Sequence, residues 1–390
     1  MRGTARKPTG PRTALILGAG VGGVVLANRL RKLLPHEHNV VLVDREPEHV
    51  FQPSLLWLAV RQREPDGFRR PLNRLRRKGI DFVLGEITRI DAASRTVTVG
   101  DRTITADAMI VALGADLAPE TIPGLSSVGH DLYTVAGATA IRDALDAFRG
   151  GHIAVLTAAP AYKCPAAPYE AALLIEAAVR KRGLRECTQI DLYAAEPGPM
   201  GVAGPKVSAA VRQLVESRSI GYHPQQQVVR AEAGRVTFAT GATADFDLLV
   251  FIPPHRAPAV VSEAGLTGET GWIPVDRKTF TTSFPGVYAI GDVVSIPLAI
   301  GKPLPKAGVF AHGQAEVVAA NIARLWTGRG VGRVFDGYGK CFLEIGDGRA
   351  GYGAGNFYGE PAPQVTLRPP SRLRHWGKVL FEKRWLAKWF

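Results

Sequence analysis

The chemistry of this 390-residue chain is concentrated in a few thiols, carboxylates and glycine-bearing turns. Cys164 lies in TAAPAYKCPAAPYEAA, residues 157–172, after the apolar run HIAVL and before an alanine-rich helical pattern. A thiolate just before a helix gains from the positive end of the helix dipole, so a nucleophilic or redox cysteine is reasonable there. A lone cysteine that packs as a small apolar residue is the competing reading. Cys341, in the strand-like run GKCFLEIGDGRAG, is a second thiol, and Cys187, in RECTQIDLY, reads as structural. The three cysteines have no zinc-site spacing and are too few for a secreted disulfide framework, so no metal is expected and free thiols are the default.

A second chemistry needs absent side chains. In TALILGAGVGGVVLANRLRKLL, Gly18, Gly20 and Gly23 fill G-x-G-x-x-G between a strand and a helix. The first permits the turn, the second lets backbone approach a pyrophosphate, and the third allows close helix packing. Asp44 ends the next strand, NVVLVD, where a carboxylate can accept hydrogen bonds from an adenosine ribose. Gly291 and Asp292 end another strand in TSFPGVYAIGDVVS; the aspartate can take a ribityl hydroxyl or simply cap a helix. GDGRAG at 346–351 also satisfies the glycine pattern, but the following YGAGNFYGEP starts no helix, so it reads as a turn.

These residues require an α/β chain of repeated βαβ units. Residues 1–115 and 251–330 are expected to form two parts of one dinucleotide-binding domain, with a meander near 81–115 feeding back into its sheet. Residues 116–250 repeat the plan as a second Rossmann-like domain, and 331–390 form a C-terminal region. In that second domain residues 157–165 contain no glycine, and Pro160 would crowd a pyrophosphate, so ordinary NAD(P)H binding is disfavoured.

The formal net charge of +13 favours an anionic partner. No zinc module, recognition helix or RNA-binding sheet signature appears, which argues against nucleic acid. The basic start and apolar stretch mimic a secretory signal, but the glycine pattern gives the stretch another role. A run of about twenty apolar residues is missing, so a spanning helix is not expected. The tail RPPSRLRHWGKVLFEKRWLAKWF interleaves basic with apolar and aromatic residues. As a helix it suits an interfacial anchor on anionic lipid, with docking on the protein's own core or a dimer contact as alternatives.

The three glycines, the VALGA strand end at Gly114 and VYAIGDV look like the two-dinucleotide-domain, glutathione-reductase-like flavoproteins. Within them the chain resembles the sulfide:quinone oxidoreductase family over nearly its full length, with flavocytochrome c sulfide dehydrogenase and type II NADH dehydrogenase as relatives. FQPSLLWLAV, YKCPAAPYE, PKAGVFAHGQAEVVAANI, and GKCFLEIGDGRAG followed by HWGKVLFEKRWL carry the resemblance. It implies FAD held by Gly18, Gly20, Gly23, Asp44, Pro53, Gly114, Gly291, Asp292 and Lys306. It also implies Cys164 and Cys341 as a redox pair, Glu170 as acid/base, and Lys306 near the flavin pyrimidine edge. Sulfide would attack the oxidised bridge between the cysteines, and the electrons would pass through flavin to a membrane quinone. A peripheral, monotopic place on the cytoplasmic face of the cell membrane follows from the resemblance, and a homo-oligomer is possible.

The chain departs from the family pattern at two places. Tyr133 stands where a third cysteine is common, with no histidine shortly after it, and GPMGVAG replaces a family histidine after DLYAAEP. An NADH:quinone oxidoreductase and a noncatalytic flavin-bound sensor or assembly protein are the alternative readings.

Overall fold

A computed structural model describes residues 10–160 and 162–390. The basic start, residues 1–9, lies outside the described residues. From the N-terminal side the chain forms β1 (Thr13–Leu17), α1 (Val21–Leu33), β2 (Asn39–Asp44), β3 (Asp81–Leu84) and β4 (Ala108–Val111). β5 (His130–Asp131), β6 (Gly151–Thr157), α2 (Ala167–Lys181), β7 (Thr188–Ala194), β8 (Gly221–His223) and β9 (Leu248–Ile252) follow. β10 (Val287–Ala289), α3 (Gly308–Thr327), β11 (Tyr338–Glu344), β12 (Ala350–Asn356), β13 (Gln364–Ser371) and α4 (Arg372–Trp389) complete the frame.

One five-stranded sheet has the order β10-β4-β1-β2-β3, all parallel, so the late strand β10 joins the sheet begun at the N-terminal side. The second has the order β5-β9-β6-β7-β8, also parallel. The central strands read as continuous apolar runs because helices cover both faces of such sheets. Leu15, Ile16, Leu17, Val155 and Leu156 are accordingly fully buried. A three-stranded antiparallel meander spans residues 87–105, between β3 and β4.

β11, β12 and β13 form an antiparallel sheet against which α4 packs. The GDGRAG stretch makes the turn of the β11–β12 hairpin, with Gly346, Asp347 and Gly348 all at positive φ. It is a turn, as its missing helix requires.

α4 is docked on the protein. Lys378, Glu382, Trp385, Leu386 and Trp389 are buried, and Ser54 Oγ donates to Glu382 Oε1 at 2.5 Å. Two of the charged residues expected at a lipid surface therefore face inward, where partners offset their desolvation. Leu373, Trp376, Leu380 and Phe381 are exposed on the other side.

Candidate active site

The first glycine turn is built by close approach. Gly18 has φ +100, and a Cβ there would lie 2.5 Å from the Ala112 carbonyl oxygen. A Cβ on Gly23 would lie 1.8 Å from the Gly18 carbonyl oxygen, so helix and turn can pack only without a side chain. Gly20 faces open space and immediately precedes α1, with no side chain capping the helix. Its first-turn N–H groups are left for an anion.

Asp44 closes the same turn. Its Oδ2 accepts from the Ala19 amide at 2.5 Å and its Oδ1 from the Glu46 amide at 2.8 Å, while burial raises its pKa. His49 Nδ1 meets the Ala19 carbonyl oxygen at 2.8 Å and stacks on Trp385 of α4. Burial pushes the His49 pKa down to about 4, which keeps the ring neutral and Nδ1 the donor. Gly114 follows β4 at φ +72 in open space, and Pro53 is exposed on the short 3-10 turn Gln52–Ser54.

Asp292 follows β10. Its Oδ1 is buried and has no hydrogen-bond partner, and burial raises its pKa. A buried carboxylate oxygen without a donor is costly, so the position fits a ligand hydroxyl. The Gly291 amide donates to Gln314 Oε1 at 2.6 Å. Lys306 Nζ donates to the Asp292 and Val294 carbonyl oxygens at 2.6 and 3.1 Å and lies 3.3 Å from the centre of the Trp272 ring. Burial lowers its pKa to about 8.

The loop after β6 reaches this place. The Cys164 amide donates to the Lys306 carbonyl oxygen at 2.6 Å, and the Cys164 carbonyl accepts from the Ala167 amide at 2.9 Å, in the first turn of α2. Cys164 adopts φ +54, an uncommon conformation for a residue with a Cβ. Cys341, on β11, is near enough that its charge would raise the Cys164 thiol further. Both are free thiols, and Cys187 lies apart with its Sγ 3.2 Å from the Leu184 carbonyl oxygen.

Cys164 stands two residues before Ala166, the cap of α2. Burial, followed by the charges of Cys341 and Glu170, pushes its thiol well above the ordinary range. Cys341 keeps accessible surface, yet surrounding protein and then Glu170 push its thiol up to about 12.

Glu170 is buried in the first turn of α2. Its Oε1 accepts from Lys378 Nζ at 3.0 Å and from the Glu344 amide at 2.8 Å. His375 Nδ1 lies 3.0 Å from Glu344 Oε2, and Lys378 lies 4.9 Å from the Trp57 ring centre. Burial alone would lower the Lys378 pKa, but Glu170 and Glu344 hold it above the ordinary value.

Glu344 and His375 were not assigned roles by sequence reasoning, and Lys378 was given only a place in the basic tail. The only signal was their occurrence in two stretches carrying the family resemblance. Tyr133 is buried at the same loop: its hydroxyl donates to the Lys163 carbonyl oxygen, and its ring meets His255 edge-on at 5.5 Å.

The second dinucleotide position is closed. Glu196, just after β7, corresponds in the βαβ order to Asp44 at the end of β2. Its carboxylate accepts from Tyr162, Thr157 and Tyr169 hydroxyls at 2.5, 2.9 and 2.8 Å. The acid that could hold a second adenosine ribose is committed to its own loop and helix.

Two parallel dinucleotide-binding halves, one with an open glycine cradle and an orphaned buried acid, define a flavin-dependent oxidoreductase. Its residues 12–315 match the Pyridine nucleotide-disulphide oxidoreductase family, and the chain belongs to that family. A sulfide-quinone reductase of Aquifex aeolicus (strain VF5) is 26% identical over 96% of this chain and 90% of its own length. The mitochondrial sulfide:quinone oxidoreductase of Mus musculus is 25% identical over 86% of this chain and 76% of its own. The X-ray structure of the sulfide:quinone oxidoreductase from Aquifex aeolicus superposes with a TM-score of 0.88 at 25% identity, covering 97% of this chain and 91% of that one. The resemblance read from the sequence is thereby borne out, and FAD is the cofactor that the first half fits.

Proposed function

We propose that this protein oxidises sulfide through Cys164 and Cys341 and passes the electrons by way of FAD to a quinone. The observation that carries the reading is that the Cys164 amide is bonded to Lys306, whose side chain holds the Asp292 carbonyl, while Cys341 of the distant β11 is near enough for its charge to act on the Cys164 thiol. Hydrosulfide attacks a Cys164–Cys341 disulfide: a new S–S bond forms to one cysteine, the old one breaks, and the other cysteine leaves as thiolate. The persulfide and that thiolate then join in a trisulfide, giving up two electrons and a proton, and a further hydrosulfide carries the middle sulfur away as hydropersulfide and restores the disulfide; FAD, when bound, would supply the two-electron acceptor between this step and a quinone. Glu170, hydrogen-bonded to Lys378, is placed to hold or release the proton that each sulfur step moves. Lys306 sets a positive charge beside Asp292, which would offset the negative charge of a reduced flavin held there.

In this reading Gly18, Gly20, Gly23, Asp44, Pro53, Gly114, Gly291, Asp292 and Lys306 hold the cofactor. The hydroxyl-filled Glu196 and the glycine-free loop favour a sulfur donor over NADH. The exposed Leu373, Trp376, Leu380 and Phe381, with exposed Lys383, Arg384 and Lys388 near them, form a face suited to the surface of an anionic bilayer. Among the described residues no helix is long and apolar enough to cross a membrane.

The cysteine assignment is tested by Cys164→Ser and Cys341→Ser. Each abolishes sulfide-driven quinone reduction while flavin absorbance is retained. Normal steady-state turnover in either variant removes the cysteine pair from the mechanism.

A further inference from the structure

β11 carries Cys341, α2 follows Cys164, and the two elements meet along one line. At one end the Glu344 amide is held by Glu170 Oε1 at 2.8 Å. Further along, a Cβ on Gly346 would lie 2.4 Å from Ala177 Cβ, so the hairpin turn is seated on the helix with no room for a side chain. Beyond that, Asp347 accepts from Arg180 Nη2 at 2.9 and 3.0 Å and from Arg218 Nη1 at 3.1 Å. Residues 170, 177 and 180 recur at helical spacing and share one face of α2.

Both arginines are also paired with Glu176, which is buried: Arg180 Nε at 2.9 Å and Arg218 Nη1 at 3.4 Å. The arginines are thus preset by the helix, and Asp347 is the group that docks onto them. A strand displaced by one residue moves its side chains by about 3.3 Å and turns them to the opposite face.

We propose that Asp347, Arg180 and Arg218, with Gly346 seated on Ala177, form a register clamp that sets the approach of Cys341 to Cys164. These are positioning residues; none needs to touch sulfur. The clamp rests on the reading of the two cysteines as a redox pair. Asp347→Asn leaves Arg180 and Arg218 paired with Glu176, so the fold persists while the docking contact weakens.

The test uses full-length, flavin-loaded protein carrying Cys187→Ser, equilibrated without oxygen against mixtures of reduced and oxidised glutathione. Two thiols give two electrons and two protons to glutathione disulfide, which becomes two glutathione molecules. The fraction of Cys164–Cys341 disulfide is read by alkylation and mass spectrometry, with flavin absorbance and melting temperature recorded on the same samples. Asp347→Asn and Gly346→Val each lower the disulfide equilibrium constant by about tenfold with flavin retained, and Arg180→Gln adds little to Asp347→Asn in that constant because the Arg180–Asp347 contact is already lost, although it also removes a partner of Glu176.

An unchanged constant in Asp347→Asn overturns the clamp, whether or not Gly346→Val folds. A wild-type protein that forms no Cys164–Cys341 disulfide at any glutathione ratio overturns the redox-pair reading beneath it. General destabilisation lowers the melting temperature alone and leaves the thiol equilibrium of folded protein in place, which also counts against the clamp.

Discussion

The amide of Cys164 donates to the carbonyl oxygen of Lys306 at 2.6 Å, joining the loop after β6 to the segment that follows Asp292. Through this bond the sulfur loop of one half is held against the cofactor residues of the other. It also explains how Cys164 keeps φ +54, a conformation that costs a non-glycine residue about 1 kcal/mol or more unless its surroundings fix it. The tie between the two segments is made by backbone, not by a side chain.

Lys378 and Glu170 form a buried ion pair at 3.0 Å. Lys378→Met leaves two carboxyl groups, Glu170 and Glu344, without their cation and is expected to cost about 3–5 kcal/mol in urea unfolding of the flavin-loaded protein. Adding Glu170→Gln should recover part of that loss. A change below about 1 kcal/mol would show that the pair contributes no more than an exposed one.

Cys341 has its thiol pushed up to about 12, so it is protonated at neutral pH and its thiolate fraction grows as pH rises. In a Cys164→Ser, Cys187→Ser background, alkylation by an uncharged reagent should accelerate about tenfold per pH unit from 8 to 10 with no plateau. A plateau near pH 8–9 would show an ordinary thiol.

The outward side of α4 is separable from its docked side. Leu373→Gln, Trp376→Gln and Leu380→Gln together should weaken binding to anionic vesicles at least about tenfold while leaving flavin content unchanged, since all three are exposed. Unchanged sedimentation with vesicles would assign this side another role. Truncating the tail is the poorer experiment because Trp385, Leu386 and Trp389 belong to the core.

The first dinucleotide half was legible because its signals are local. Gly18, Gly23 and Asp44 act within one βαβ unit, and their spacing already states the contacts that the turn requires. The approach of Cys341 to Cys164 was legible only through family resemblance: residues so far apart in sequence carry no spacing signal. The helix start after Cys164 is visible in the sequence, whereas the burial and neighbouring charges that raise its thiol pKa come from other elements. The inward turn of Lys378 and Glu382 was hidden for a related reason. Their partners, Glu170, Ser54 and Arg63, come from other elements, so the tail by itself looks uniformly basic.

The measurement that bears most directly on the account is anaerobic bleaching of the flavin by sulfide and by NADH in parallel. Sulfide should bleach the visible flavin band of the wild-type protein within the time of turnover, Cys164→Ser should stop it, and NADH should leave the band unchanged. Fast bleaching by NADH with none by sulfide would contradict the sulfur mechanism and return the closed second half to the role of a nicotinamide site.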